Sequence, residues 1–362
     1  MRKIKTHSNL GIKLFSLAII LSVIGLFFVF EASSVKSYHD FNDSFHYLKS
    51  QFLFILIGIA AMTFFSFFDY HKLYYLAFIF MISTIGFLLI VLIPSVGRAG
   101  GGARRWLDFG LINFQPTEFA KFSAIIYLSS WFIHKESKRF TSFLILLSIL
   151  IFLIMLQPDM GTAMIIFLIS ITLYYVAGHH IHHLLFLMPV AAVGSFVLIK
   201  ISPYRFRRIL AFIDPSLDPL GITYHVNQIL ISLSNGGLFG QGFGASKQKY
   251  LFLPEAHTDS IFAIIGEELG FLGSALLILF FMYFIYQLYK VASNAPDRFG
   301  QLLSSGIFAF FGFQILINLC SMVNLVPLTG VPLSFISAGG SNLLISFALV
   351  GVLINIAKKA RI

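Results

Sequence analysis

Apolar residues do not alternate along this chain. They come in long unbroken runs separated by short polar stretches. Runs long enough to cross a hydrocarbon core of about 30 Å fall near residues 12–30, 50–68, 73–93, 117–133, 142–157, 160–177, 184–201, 260–289, 302–323 and 340–357. The pattern predicts an all-α polytopic membrane protein of about ten transmembrane helices, with both termini on one side. No tandem repeat and no separate soluble domain stands out, so residues 1–362 read as one transmembrane domain. Its one sizeable extramembrane piece, residues 202–258, lies between the seventh and eighth helices. Pro203, Pro215, Pro219 and the glycines from Gly236 to Gly244 lead us to expect turns and short amphipathic helices there.

Composition sharpens this picture. With 58% hydrophobic and only 11% charged residues among 362, and 43 of them Phe, the chain lies outside the range of soluble globular domains. The single cysteine, Cys320, lies in an apolar run, which excludes an internal disulfide and a thiolate metal site. Arg2, Lys3 and Lys5 precede the apolar stretch Leu14–Phe30, and Glu31-Ala32-Ser33-Ser34 follows it, as in a secretory signal. That stretch is too long for a signal core and a second span follows, so it reads as an uncleaved first helix ending near Phe30.

Charge sets the orientation. Lys72, then Lys135, Lys138 and Arg139, then Lys290 and Arg298, and finally Lys358, Lys359 and Arg361 lie in connections on the side of the termini, which places both termini in the cytoplasm. The opposite side is not depleted of cations. Arg98, Arg104 and Arg105 lie between Pro94 and Pro116, and Arg205, Arg207, Arg208, Lys247 and Lys249 lie in the 202–258 segment. Long loops escape the positive-inside bias, but the shorter one does not. Basic residues kept there point to an anionic ligand at the outer face, against the simpler alternative of Arg side chains snorkelling to headgroups. The net charge of +10 comes without any basic-aromatic pattern for nucleic acid.

Only 15 residues are acidic, yet Glu255 and Asp259 sit together in Leu253-Pro254-Glu255-Ala256-His257-Thr258-Asp259, and Glu267 and Glu268 follow closely. Ionisable groups at a membrane boundary are costly and mark functional sites. Asp259 is placed either to cap the eighth helix or, desolvated and close to Glu255, His257 and Glu267, to take up a proton near neutral pH. Glu118 and Lys121 share a helical face, and Lys121 is expected to pair with Glu118 or with Asp159 of Gln157-Pro158-Asp159. The glycine run Gly236–Gly244 either presents backbone N–H groups to phosphate or makes a tight turn against the bilayer, and its spacing matches no nucleotide motif. His179, His180, His182 and His183 suggest a metal, but they occupy a turn with no acidic or cysteine co-ligand nearby, so a wet interfacial turn is the expectation.

Five stretches then carry a family likeness. They are Gly102–Leu107 with Gln115–Lys121, Gln157–Thr162, Pro203–Arg208, the glycine run leading to Leu253–Asp259, and Pro332–Ser341. In this order the chain resembles the SEDS family of bacterial cell-wall proteins, to which FtsW and RodA belong. Ala256, the Tyr204–Arg208 run and Ala32-Ser33-Ser34 resemble the division branch more than the elongation branch. Ser260, Ala338 and Ser334 depart from the residues usual in the family, without removing an ionisable group.

The resemblance implies a peptidoglycan glycosyltransferase that polymerises lipid II at the outer face of the bacterial cytoplasmic membrane. It implies Asp259 as the catalytic residue and a class B penicillin-binding protein, a transpeptidase, as partner, with other divisome proteins at the septum. Arg104, Arg105, Lys121, Arg205 and Arg208 are then candidates to hold the pyrophosphate. Glu255, His257, Glu118 and Asp159 complete the expected substrate site, and membrane lipids surround it. The resemblance names no certain cofactor, and a divalent cation, Mg or Mn, is an option with Asp259 or Glu255 as ligand. A lipid II flippase and a non-catalytic division scaffold are the alternatives.

Overall fold

In the computed structural model the described residues are 3–100, 103–108, 110, 113–134 and 140–360. Arg2, Gly102, Lys135, Lys138, Arg139 and Arg361 therefore lie outside them. The elements run α1 (Lys3–Phe41), α2 (His46–Phe67), α3 (His71–Ile90), β1 (Gly97–Gly100), β2 (Ala103–Asp108), β3 (Asn113–Phe114), α4 (Pro116–Trp131), α5 (Phe140–Met155), α6 (Met160–Val176), α7 (Ile181–Ile201), α8 (Pro203–Ile213), α9 (Tyr224–Gly236), α10 (Ile261–Ser293), α11 (Arg298–Met322) and α12 (Gly340–Lys359). Among the described residues α1, α2, α3, α7, α10, α11 and α12 are long and apolar enough to cross a membrane, while α5 and α6 are apolar but shorter. A segment in hydrocarbon must satisfy its own backbone, which is why apolar runs of this length become helices.

Burial sorts the helices. Only 6% of the most apolar window of α7 is buried against protein, compared with 89% for α12. So α7 presents Leu185, Phe186, Val193 and Phe196 outward, and α12 is the axis of the bundle. Its contact with α2 depends on small residues. A Cβ at Gly351 would overlap the Met62 carbonyl, and one at Gly58 would overlap the Phe347 ring. Polar groups on α12 are satisfied across helices, as buried polar atoms require. Asn355 accepts from the Tyr70 backbone N–H at 3.1 Å and donates to the Ser66 carbonyl at 3.0 Å, which fixes α12 to the α2–α3 turn.

Four features bear on the sequence expectation, three departing from it and one meeting it. First, the fold is not purely α-helical: the loop before α4 holds a three-stranded antiparallel sheet in the order β1-β2-β3. Strands of four, six and two residues are too short for a period-two signal. Secondly, α1 does not end near Phe30 but continues to Phe41, with Ala32 and Ser33 buried inside the bundle. Nothing in Glu31–Ser34 breaks a helix, and packing carries it on. Thirdly, the 202–258 segment supplies two helices, α8 and α9, as its composition suggested.

Fourthly, α10 is broken. Gly270 adopts φ 68° and ψ −166°, open to glycine without strain. The glycine run repairs the break: Gln241 N–H donates to the Glu267 carbonyl at 2.9 Å and Gly242 N–H to the Glu268 carbonyl at 3.1 Å. In return Phe271 and Leu272 N–H donate to the carbonyls of Gly237 and Leu238 at 2.9 and 3.1 Å. A Cβ at Gly240 would collide with Glu268 backbone. The run is thus not a phosphate nest, because these N–H groups are already engaged and the glycines serve close backbone approach.

Beside this break Lys249 Nζ meets Glu31 Oε2 of α1 at 2.9 Å and Glu268 Oε1 of α10 at 3.3 Å, all three side chains being largely buried. Glu267 accepts from Ser232 Oγ, Ser246 Oγ and Lys247 N–H. It anchors the loop and does not join Asp259, in contrast to the expectation from its eight-residue spacing.

Candidate active site

The turn before α10 is held from several sides. Glu255 takes the left-handed region, φ 48°, which costs an L-residue about 1 kcal/mol and marks an over-determined turn. The Glu255 carbonyl accepts from the N–H groups of Thr258 and Ser260 at 3.1 and 3.2 Å. Asn318 of α11 donates from Nδ2 to the Asp259 carbonyl at 2.9 Å and to the Val331 carbonyl at 2.8 Å. His225 of α9 places Nε2 2.8 Å from Ser260 Oγ and also hydrogen-bonds the Pro254 backbone, gripping both ends of the turn.

Asp259 does not cap α10. The cap position belongs to Ser260, which leaves the Asp259 carboxylate free for chemistry. Thr258 Oγ1 lies 3.2 Å from Asp259 Oδ1 and 2.8 Å from Glu255 Oε2, so one hydroxyl links the two acids. Burial, reinforced by the negative charge of Glu255, pushes the Asp259 pKa up to about 6, while Arg208 and Thr258 oppose the rise. A carboxylate so tuned is ionised at neutral pH and basic enough to accept a proton. His225 is driven the other way, to about 4, by burial and then by Arg208, so its imidazole is neutral at pH 7.

Arg208 projects from α8 toward this carboxylate. Its Nη1 donates to the Leu328 carbonyl at 2.8 Å, and its guanidinium lies over the Tyr204 ring at 4.7 Å. Gly330 lies beside both groups: a Cβ built there would lie 3.7 Å from Asp259 Oδ2 and 3.9 Å from Arg208 Nη1. Behind Arg208 a cleft of about 560 Å³ opens between α8 and α9, with Arg207, Arg208, Asp218 and His225 among its walls.

The other residues expected at the site fall into separate places. Lys121 pairs with Glu118 at 2.7 Å rather than with Asp159, and also donates to Gln314 Oε1 at 2.9 Å. Asp159 instead caps α6, accepting from Thr162 N–H at 3.0 Å and from the Thr162 and Thr117 hydroxyls. Arg105 donates to the carbonyls of Gln157 and Pro158 at 2.8 and 2.6 Å, tying the sheet to the α5–α6 turn, and Arg104 is exposed on β2. Arg205 reaches back to the Leu198 carbonyl at 3.3 Å and is absent from the cleft wall. His257 is buried against the Tyr47 ring at 4.5 Å, with its pKa lowered to about 4 by burial and then Lys36, so it faces α1 and α2.

In the histidine turn, His183 Nδ1 contacts the Tyr174 hydroxyl at 2.6 Å and its ring stacks on Phe140. Among the described residues no group of three His, Cys, Asp or Glu side chains is arranged to hold a metal ion.

His225, Asn318 and Gly330 carried no local sign in the sequence. They lie 34, 59 and 71 residues from Asp259 by their numbering, and only the fold brings them together. Gly330 yields a prediction. Gly330→Ala puts a methyl group against both the carboxylate and the guanidinium at φ 72°, at a conformational cost of about 1 kcal/mol. The variant is expected to insert and melt nearly as the parent does, yet to lose most catalytic turnover; undiminished turnover would show that this space is not used.

The geometry can be set beside known proteins. The family model described as a cell cycle protein and named for FtsW, RodA and SpoVE matches residues 12–362. Stage V sporulation protein E of Bacillus subtilis (strain 168) is 38% identical over 352 residues, covering 95% of this chain and 96% of that protein. The probable peptidoglycan glycosyltransferase FtsW of Geobacter sp. (strain M18) is 35% identical, covering 100% and 99%. Among solved structures, a chain described under structural coordination of polymerization and crosslinking by a peptidoglycan synthase complex superposes with a TM-score of 0.79 at 26% identity, covering 96% of this chain and 97% of that one. The rod shape determining protein RodA of Thermus thermophilus gives 0.71 at 25% identity, covering 96% of each chain.

Proposed function

This chain belongs to the FtsW/RodA/SpoVE family, and from that premise we propose that it is a peptidoglycan glycosyltransferase polymerising lipid II at the outer face of the bacterial cytoplasmic membrane. The observation that carries the proposal is Asp259: a carboxylate tuned to about 6, held by its backbone and free of capping duty, with the Arg208 guanidinium beside the same glycine, Gly330. Such a pair suits an acid-base step at which an anionic leaving group departs.

In the reaction the 4-hydroxyl of one lipid-linked sugar attacks the anomeric carbon of a second. Asp259 takes the hydroxyl proton as the new C–O bond forms, and the bond to the diphosphate oxygen breaks with its electron pair leaving on the polyprenyl diphosphate. General-base assistance of this kind contributes about 10² to 10⁴ in rate. Arg208, oriented by Leu328 and Tyr204, faces the charge that develops. Arg105, Arg205 and Lys121 are engaged with other protein groups. Polyprenyl tails find apolar surface in the groove of about 490 Å³ between α10 and α11, walled by Phe281, Phe308 and Phe313.

A divalent cation, Mg or Mn, would be held at the same turn by Asp259 and Glu255. Asp259 and Glu255 share the Thr258 hydroxyl, and two carboxylates plus water ligands are what Mg favours. When bound it would supply further neutralisation of the diphosphate. We assign the partner as a class B penicillin-binding protein, supported by the likeness to a chain from a peptidoglycan synthase complex. We assign the setting as the division septum, a reading supported by the family model described as a cell cycle protein and by the relative named FtsW at 35% identity.

The test is polymerisation of purified lipid II by the full chain together with its transpeptidase. Long glycan strands are expected. Their absence, with lipid II instead translocated across liposomes, would replace the enzyme with a transporter.

A further inference from the structure

We infer that the aromatic rings at the outer ends of α1 and α2 form a platform for the growing glycan strand, on the side of the catalytic turn away from α8. The inference rests on the glycosyltransferase function proposed above and adds to it a path for the product. When the bond to the diphosphate breaks, the polymer stays attached at the anomeric carbon, so it leads away from the cation that faces the leaving group. That cation comes from α8, whereas His257, two residues before Asp259, faces α1 and α2.

From His257 outward the rings are continuous. Tyr47 lies 4.5 Å from His257, His46 lies 5.7 Å from Tyr47, and Phe41 stacks on His46 at 3.9 Å with the planes 14° apart. The inner end of the row is buried in the catalytic turn and the outer end is open, with Phe41 49% exposed and Tyr38, one turn back on α1, 60%. Lipid is too low to cover that end. The apolar run of α1 ends near Phe30, and Phe41 stands eleven residues further on, about 16 Å along the helix, whereas headgroups extend only about 5 to 8 Å beyond the hydrocarbon.

Charge flanks the rings. Lys36 and Asp40 of α1 are close enough to act on His257, and Lys49 pairs with Asp43 at 2.8 Å. An aromatic row with a polar rim suits a ligand of both characters. A polymer of N-acetylated sugars is such a ligand: its C–H faces meet the negative faces of the rings, and its hydroxyl and amide groups meet the rim. The platform is also pre-set, which lowers the cost of binding. Asp43 accepts from the Phe45 N–H at 2.9 Å, its carbonyl accepts from the Ser37 hydroxyl, and the Phe45 ring stacks on Phe30 at 5.3 Å.

The experiment measures the length of glycan strands that the full chain makes from lipid II with its transpeptidase, and the binding of an N-acetylglucosamine tetramer to the full chain in detergent micelles. Wild type is expected to bind the tetramer. Tyr38→Ser combined with Phe41→Ser should weaken that binding about ten-fold and shorten the strands several-fold, with a smaller fall in the rate of the first coupling. Tyr38→Phe combined with Phe41→Tyr keeps both rings, guards against misfolding and should behave as wild type. Tyr75→Ser, which removes an exposed ring at the cytoplasmic end of α3, should change neither readout. Wild-type strand length and tetramer affinity in the serine variant would overturn the platform. So would loss of the transpeptidase from the purified complex with tetramer affinity unchanged, which would mark a protein interface. Failure of the wild-type chain to polymerise lipid II would sink the function, and tetramer binding would still decide whether sugar rings stack here.

Discussion

Asp259→Asn should abolish glycan polymerisation, by about 10² to 10⁴ in rate, in a protein that still inserts and folds. The amide keeps the shape of the side chain and its contact with Thr258, and removes only the basic oxygen. Stability should not suffer. Because burial raises the folded-state pKa of Asp259 from 3.8 to about 6, the native state holds its proton more tightly than the unfolded chain does. The ionising carboxylate thus reduces stability as pH rises from about 4 to about 6, and the neutral amide removes that penalty at pH 7. The same shift predicts a wild-type rate that climbs through pH 6 and levels off above pH 7. A pH–rate profile, with thermal unfolding of both proteins in detergent, checks the pair of statements. Retained polymerisation in the variant, or a profile flat from pH 5 to 8, would remove Asp259 from the role of base.

Lys249→Met is expected to produce the largest loss of stability. The substitution leaves Glu31 and Glu268 beside each other with no ammonium between them, and Glu268 has no solvent access. Removing one partner from a buried ion pair costs about 3 to 5 kcal/mol, because the remaining charge keeps its desolvation penalty and loses its compensation. Lys249→Met combined with Glu268→Gln should recover much of the loss, since the second change removes the orphaned charge. Equal melting temperatures for parent and single variant would show that the triad adds nothing to the fold.

Much of the helical plan was legible from the sequence because hydrocarbon allows so few backbone solutions. Each apolar run became a helix, and the 202–258 segment produced α8 and α9, with Pro203 at the first turn of α8. The break in α10 was not legible. Gly270 sits in an apolar run that reads as one continuous span, and the partners that make the break tolerable come from Gly237–Gly242. The small sheet escaped for a different reason, since its strands are shorter than any pattern can register.

At the site, Asp259 and Arg208 were visible as charges where charge is costly. Their partners were not. Asn318 looks like a polar residue lost in an apolar helix until the fold sets it against the Asp259 carbonyl. Arg205 and Arg208 are indistinguishable by composition, and only the direction of α8 sends one toward α7 and the other toward the carboxylate. Lys121 had two acids within reach in the sequence, and the one on its own helix won, at i and i−3.

Between Ile261 and the break at Gly270 lies a rod of nine residues, about 13 Å long, with Asp259 at its tip. A swing of about 10° around Gly270 would carry that tip about 2 Å, several times the tolerance of a hydrogen bond. The four backbone bonds to Gly237–Gly242 act as a brace against that swing, and the precision of proton transfer at the water boundary is set by stiffness two turns below it.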